Sequence, residues 1–181
     1  MSRKSAMREL RNDLARALEQ ARPTEPDEVF AAMCAQLGKR RGRPVIHRLV
    51  DFPPETASGL YLDMVDRDII CIQANTRPFH QLVIFGHEVW HMMAGHGSHT
   101  GHGEGGTSVA ARLVTDGADI GATVQNLAAR TDFRQAEETE AETFGLELGT
   151  HLRGWLEGTA AAAPRSELAE RIQQSLGRRR T

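Results

Sequence analysis

The sequence predicts an α+β fold in which helices flank a small three-stranded sheet. Three observations predict it. Apolar side chains recur at three- and four-residue spacing in four separate stretches, the period of one helix face. Three short runs rich in valine, isoleucine and leucine fall together between residues 45 and 73. With 181 residues, 40% of them hydrophobic, the chain is long enough to bury a core.

Taken in order, residues 4–21 carry Met7, Leu10, Leu14, Ala17 and Leu18 as a helical stripe among alternating charges, and Pro23 ends it. Residues 25–37 form a second helix, with Val29, Phe30, Met33 and Leu37 inward and Gly38 as the expected stop. The basic run Lys39-Arg40-Arg41-Gly42-Arg43 reads as solvated charge. Residues 45–52 read as a strand that Pro53-Pro54 breaks. Residues 59–63 and 69–73 are two further strands, joined by a turn at Val65-Asp66-Arg67-Asp68.

Between Arg77 and His96 the period becomes helical, with Leu82, Phe85, Val89 and Met92 or Met93 on one face and Pro78 suited to the first turn. Residues 97–108 hold five glycines and no apolar side chain, the composition of a loop. Residues 109–129 are weakly helical, interrupted by Gly117 and Gly121. Residues 135–155 read as a strong helix with Ala141, Phe144, Leu148, Leu152 and Trp155 on its apolar side. A run of alanines and Pro164 precedes a last amphipathic helix, 166–176, and the tail Arg178-Arg179-Arg180. The expected organisation is one domain over 1–155, then a linker, helix and basic tail over 156–181.

A net charge of -2 from nearly equal acids and bases argues against general nucleic-acid binding. Cys34 and Cys71 lie in apolar surroundings without a CxxC partner and read as free structural thiols of a reducing compartment. The first twenty residues lack an apolar signal-type core, and no window approaches the ~18–20 apolar residues of a membrane span. The expectation is a cytoplasmic protein with no membrane partner.

His87-Glu88-Val89-Trp90-His91 carries the most chemistry. Residues four apart on a helix lie side by side, so His87 and His91 present two imidazoles on one face, half of a tetrahedral zinc site. Glu88 sits to one side, placed to take a proton from a water beside the metal rather than to ligate it. A surface helix bearing two histidines by chance is the bland alternative. The apolar approach Leu82-Val83-Ile84-Phe85 argues against it, because polar groups on a buried helix are costly without partners.

A catalytic zinc takes three protein ligands. One class of HExxH enzymes supplies a third histidine six residues after the second. Here that position is Gly97, and His96 comes one residue early. A glutamate from a later helix is the other source, and Glu137-Glu138-Thr139-Glu140-Ala141-Glu142 is the donor segment. Helical spacing leaves Glu137, nearest the centre of the apolar face, and Glu138, at its edge, both open.

Glu138-Thr139-Glu140-Ala141-Glu142-Thr143-Phe144 resembles the Glu-x-x-x-Asp-x-Phe segment of thermolysin-type zincins. That resemblance implies Glu138 as the zinc ligand and puts Glu142 where the pattern has an aspartate orienting a ligand histidine. The run His80-Gln81-Leu82-Val83-Ile84-Phe85-Gly86-His87-Glu88-Val89-Trp90-His91-Met92-Met93-Ala94-Gly95-His96, with the later Glu138-x-Glu140-Ala141-Glu142-x-Phe144, resembles the ImmA/IrrE family of small metallopeptidases. The layout over roughly residues 25–155 is similar too. The resemblance implies a minimal zincin-like fold of the glutamate-zincin type, with Zn2+ on His87, His91 and Glu138 and Glu88 as catalytic base. It also implies a protein substrate, a helix-turn-helix regulator encoded nearby, in toxin–antitoxin or related settings. The alternative is a non-catalytic, zinc-stabilised toxin or regulator module. The glycine- and histidine-rich stretch after His96 departs from the family pattern.

The remaining candidates read more simply. His96, His99 and His102 are loop residues, and His80 lies two turns from His87 in a packing or hydrogen-bonding role. Tyr61 and His151 are candidates for stabilising an oxyanion, with Tyr61 fitting a sheet position better. Trp90 packs.

Overall fold

The computed structural model describes residues 2–52, 57–95 and 135–162. They form a mixed α+β structure of four helices and a three-stranded sheet, in the order α1 (Arg3–Ala21), α2 (Pro26–Arg41), β1 (Val45–Val50), β2 (Gly59–Asp63), β3 (Asp68–Gln73), α3 (Pro78–Ala94) and α4 (Gln135–Ala162). Pro53-Pro54, residues 97–108 with His99 and His102, His96, the segment 109–129, the helix expected over 166–176 and the basic tail lie outside the described residues.

Local chemistry sets most boundaries. Ser2 caps α1 by accepting from the Ser5 N–H at 3.3 Å. Glu28 reaches back to the backbone N–H groups of Thr24 and Glu25, and Pro26 occupies the first turn of α2. Gly38 does not stop this helix. It runs one turn further, to Arg41, and Gly42 at φ 70° supplies the left-handed cap, its N–H bonding the Gly38 carbonyl at 2.9 Å. Likewise Gly95, at φ 69°, caps α3. The alanines after Trp155 do not end α4, which continues to Ala162 because alanine is the best helix former.

The sheet order is β1-β3-β2, with β1 parallel and β2 antiparallel to β3. β1 ends at Val50 rather than Phe52. The Gln73 side chain prolongs the pairing, accepting from the Phe52 N–H at 3.2 Å and donating to its carbonyl at 3.1 Å. Central β3 is buried on both faces. Ile70 and Ile72 join Val45, Tyr61 and the helices in the main core, while Ile69 and Cys71 pack with Val50, Phe52, Leu60 and Leu62 on the other side. The two buried cysteines are free and sit in different clusters, and burial pushes each thiol up to about 12.

In the main core Leu10, Leu14 and Leu18 of α1 meet Val29, Phe30, Met33 and Leu37 of α2 and Leu82, Phe85 and Val89 of α3. Phe30 and Phe85 pack edge to face, ring centres 5.4 Å apart, each burial contributing roughly 2–3 kcal/mol. The expected solvated cluster at 39–43 is partly corrected. Arg41 and Arg43 both bind Asp68, which is fully buried and also accepts from the Tyr61 hydroxyl at 2.8 Å.

α3 and α4 run antiparallel in the most extensive helix–helix contact among the described residues. Glycines make it possible. A Cβ on Gly145 would stand 2.6 Å from the Val83 carbonyl oxygen, and one on Gly86 would stand 2.9 Å from the Gly145 Cα. This approach carries the first turns of α4 to the histidines of α3.

Candidate metal centre

Helical periodicity sets His87 and His91 one turn apart on the same side of α3, ring centres 4.7 Å apart and Nε2 atoms 3.0 Å apart. Glu138, near the start of α4, faces both. Its Oε2 lies 3.4 Å from His87 Nε2 and its Oε1 3.2 Å from His91 Nε2. Glu138 Oε1 is buried and makes no hydrogen bond. Among the described residues, His87, His91 and Glu138 are the group that could hold a metal ion, and Glu137 is not part of it.

The spacing has a simple test. Ligands about 2.0–2.1 Å from a tetrahedral ion stand about 3.3 Å from one another. The two histidine nitrogens, 3.0 Å apart, and the nearest Glu138 oxygen to each, Oε1 at 3.2 Å from His91 and Oε2 at 3.4 Å from His87, lie near that value, and one donor atom from each residue lies within 4.8 Å of the others. Two imidazoles and a carboxylate are also the donor chemistry of a catalytic zinc site. The residues therefore fit the group.

Electrostatics around the centre follow from burial. His87 is held below the ordinary imidazole range by burial, with the Glu142 charge opposing, which favours the neutral ring that a metal ligand needs. Burial pushes the Glu138 carboxyl up, helped by the Glu142 and Glu137 charges. Glu88 is pushed up to about 8, chiefly by burial and then by the Glu138 charge, against the Tyr61 backbone N–H, which donates to it. Glu88 is 5% exposed, and its Oε2 has no hydrogen-bond partner.

Strand β2 holds Glu88 in place. Gln73 N–H bonds the Ser58 carbonyl and Met64 N–H bonds the Arg67 carbonyl, so Leu60 and Leu62 point their backbone groups at β3. Gly59 and Tyr61 turn theirs away from β3, where Tyr61 meets Glu88. A Cβ on Gly59 would stand 2.6 Å from Glu88 Oε1 and equally close to Ile84 Cγ2, so only glycine lets the strand lie this near α3.

A cleft of about 470 Å³ opens over the group, with Ser58 and Gly59 on one side, Ile84 and Glu88 beneath, and Glu142 and Leu146 opposite. Glu142 is exposed on its wall. The other sequence candidates lie elsewhere. His80 is exposed, its Nδ1 3.4 Å from Thr76 Oγ1, and His151 borders an outer groove with Arg11 and Thr150. The Tyr61 hydroxyl is committed to Asp68 and Arg41, and Trp90 packs on Phe144 at 5.3 Å. The sequence reading missed the roles of Gly59, Gly86 and Gly145, although Gly145 and Gly149, four residues apart on α4, are a visible sign of close helix packing. No described helix is long and apolar enough to cross a membrane.

No protein-family model matches the chain, and neither a curated protein nor a solved structure does.

Proposed function

We propose that the protein is a zinc-dependent endopeptidase of the ImmA/IrrE type, a small glutamate-zincin acting on a cytoplasmic protein. The observation that carries the reading is the convergence of His87, His91 and Glu138 donor atoms beside a buried carboxylate, Glu88, with an oxygen left unbonded. The resemblance of residues 80–96 and 138–144 to that family supports it. A site built only to hold the fold together has no need of a second buried carboxylate with one oxygen left unbonded, which argues against the non-catalytic module.

His87, His91 and Glu138 would hold the zinc, which when bound makes a water more acidic and polarises the substrate carbonyl. Glu88 takes a proton from the water as its oxygen attacks the carbonyl carbon, then hands the proton to the departing amine nitrogen. The Tyr61 N–H and the space left by Gly59 fix that carboxylate in position. The outward backbone groups of Gly59 beside the cleft offer ladder hydrogen bonds to an extended peptide. The substrate class, a helix-turn-helix regulator encoded nearby, rests on the family resemblance.

The test compares wild type with Glu88→Gln for bound zinc and for cleavage of the neighbouring gene's product. Equal zinc with cleavage lost only in the variant is the expected result. Cleavage by neither protein would favour the interaction module, and zinc retained at full affinity by His87→Ala would overturn the site.

A further inference from the structure

We infer that the end of the cleft beyond the metal ligands selects a long cationic side chain, lysine or arginine, next to the bond to be cut. The inference rests on the endopeptidase reading. Because α3 and α4 are antiparallel, one turn away from His87 along α3 reaches Val83 and Ile84, and one and two turns beyond Glu138 along α4 reach Glu142 and Leu146. This end of the cleft is therefore aliphatic with a carboxylate in its wall. Leu146 is 56% exposed, unusual for a leucine with the core so near.

Among the described residues three carboxylates line the cleft, and no lysine or arginine does. Two have other roles: Glu138 faces the metal position, and Glu88 handles the proton. Of these described carboxylates Glu142 is left to act on the substrate, and its charge already reaches His87 and Glu138. The buried, unbonded Glu88 Oε2 marks the same cleft as a place where a ligand sits.

A lysine or arginine fits this wall by its two-part nature. Its methylene stem lies along Val83, Ile84 and Leu146 while its head reaches a carboxylate about one helical turn, roughly 6 Å, from the metal ligand. An acidic side chain would meet Glu142 as a like charge. Because Glu142 is exposed, the preference is modest, about three- to fivefold.

The experiment uses the full-length zinc-loaded protein and three N-acetyl amino-acid hydroxamates, of lysine, norleucine and glutamate, which anchor on zinc and differ only in the side chain. Dissociation constants are measured by competition, and ratios are taken within each variant. The lysine compound should bind about three- to fivefold tighter than norleucine, and the glutamate compound weakest. Glu142→Gln should bring lysine and norleucine level, and the wild-type ratio should shrink with added salt. Equal binding of lysine and norleucine by wild type would overturn the inference alone, as would a preference that survives both salt and Glu142→Gln. Binding of none of the three would overturn the zinc-site reading beneath it.

Discussion

Gly145→Ala adds one methyl group at the tightest point between α3 and α4. The new carbon would stand 2.6 Å from the Val83 carbonyl oxygen and 3.2 Å from the His87 nitrogen, both backbone atoms that no rotamer change can move. Reaching van der Waals distance requires the helices to part by at least roughly half an ångström. Forced overpacking of this kind costs about 1–3 kcal/mol, while replacing a helical glycine by alanine returns about 0.5–1 kcal/mol. The net expectation is a loss of about 1–2 kcal/mol. Gly154 provides the internal control, since a Cβ there meets nothing within 4 Å. Gly154→Ala on the same helix should therefore stabilise by about 0.5–1 kcal/mol. Urea midpoints of the two variants and wild type, with m-values checked for constancy, measure the difference. Zinc affinity by chelator competition should fall in Gly145→Ala and stay level in Gly154→Ala, because the first displaces Glu138 from the histidines. If Gly145→Ala proves as stable as Gly154→Ala, the close approach of the helices does not set the metal geometry.

Other expectations follow from the same contacts. Glu138→Ala should lower zinc affinity by at least about 100-fold, while Glu137→Ala keeps it near wild type; chelator competition separates the two, and the reverse order would move the ligand to Glu137. In the zinc-free protein Glu88 has a folded pKa raised to about 8, so its contribution to stability is present below its unfolded value and is lost as pH rises through 8. Thermal or urea unfolding between pH 7 and 8.5 should show stability falling by up to roughly 1 kcal/mol per pH unit, a slope that flattens in Glu88→Gln. An unchanged slope in that variant would show that Glu88 is not the group responsible. Asp68→Asn removes the charge that pairs Arg41 and Arg43 at a fully buried position and should cost about 3–5 kcal/mol in urea unfolding; a loss under 1 kcal/mol would show the network to be dispensable.

Much of the architecture is legible in the chain itself because it depends on neighbours within one or two turns. The stripe Leu10, Leu14 and Leu18 fixes the inner face of α1, and the buried Ile69 to Ile72 run marks a strand covered on both sides. The motif from His87 to His91 fixes two donors on one face for the same local reason. Errors at boundaries were also local. Gly38 was eligible as a cap, yet the helix continued until Gly42, where Pro44 and β1 begin the next element.

What the sequence determined by itself, then, was whatever a helix or strand period enforces: the elements, their buried faces, and the pairing of His87 with His91. The tertiary structure decided what lies far apart in the chain. That Glu138 rather than Glu137 faces the two histidines depends on how α4 lies across α3, which is set by glycines at 86 and 145 that let two backbones touch. The position of the Glu88 carboxylate depends on strand β2, some 27 residues earlier, through the Tyr61 N–H and the missing side chain of Gly59. Even the Asp68 network joins a basic run to the start of β3, which no local pattern connects. The physical reason is the same in each case: periodicity aims a side chain, but only packing between elements determines what it meets.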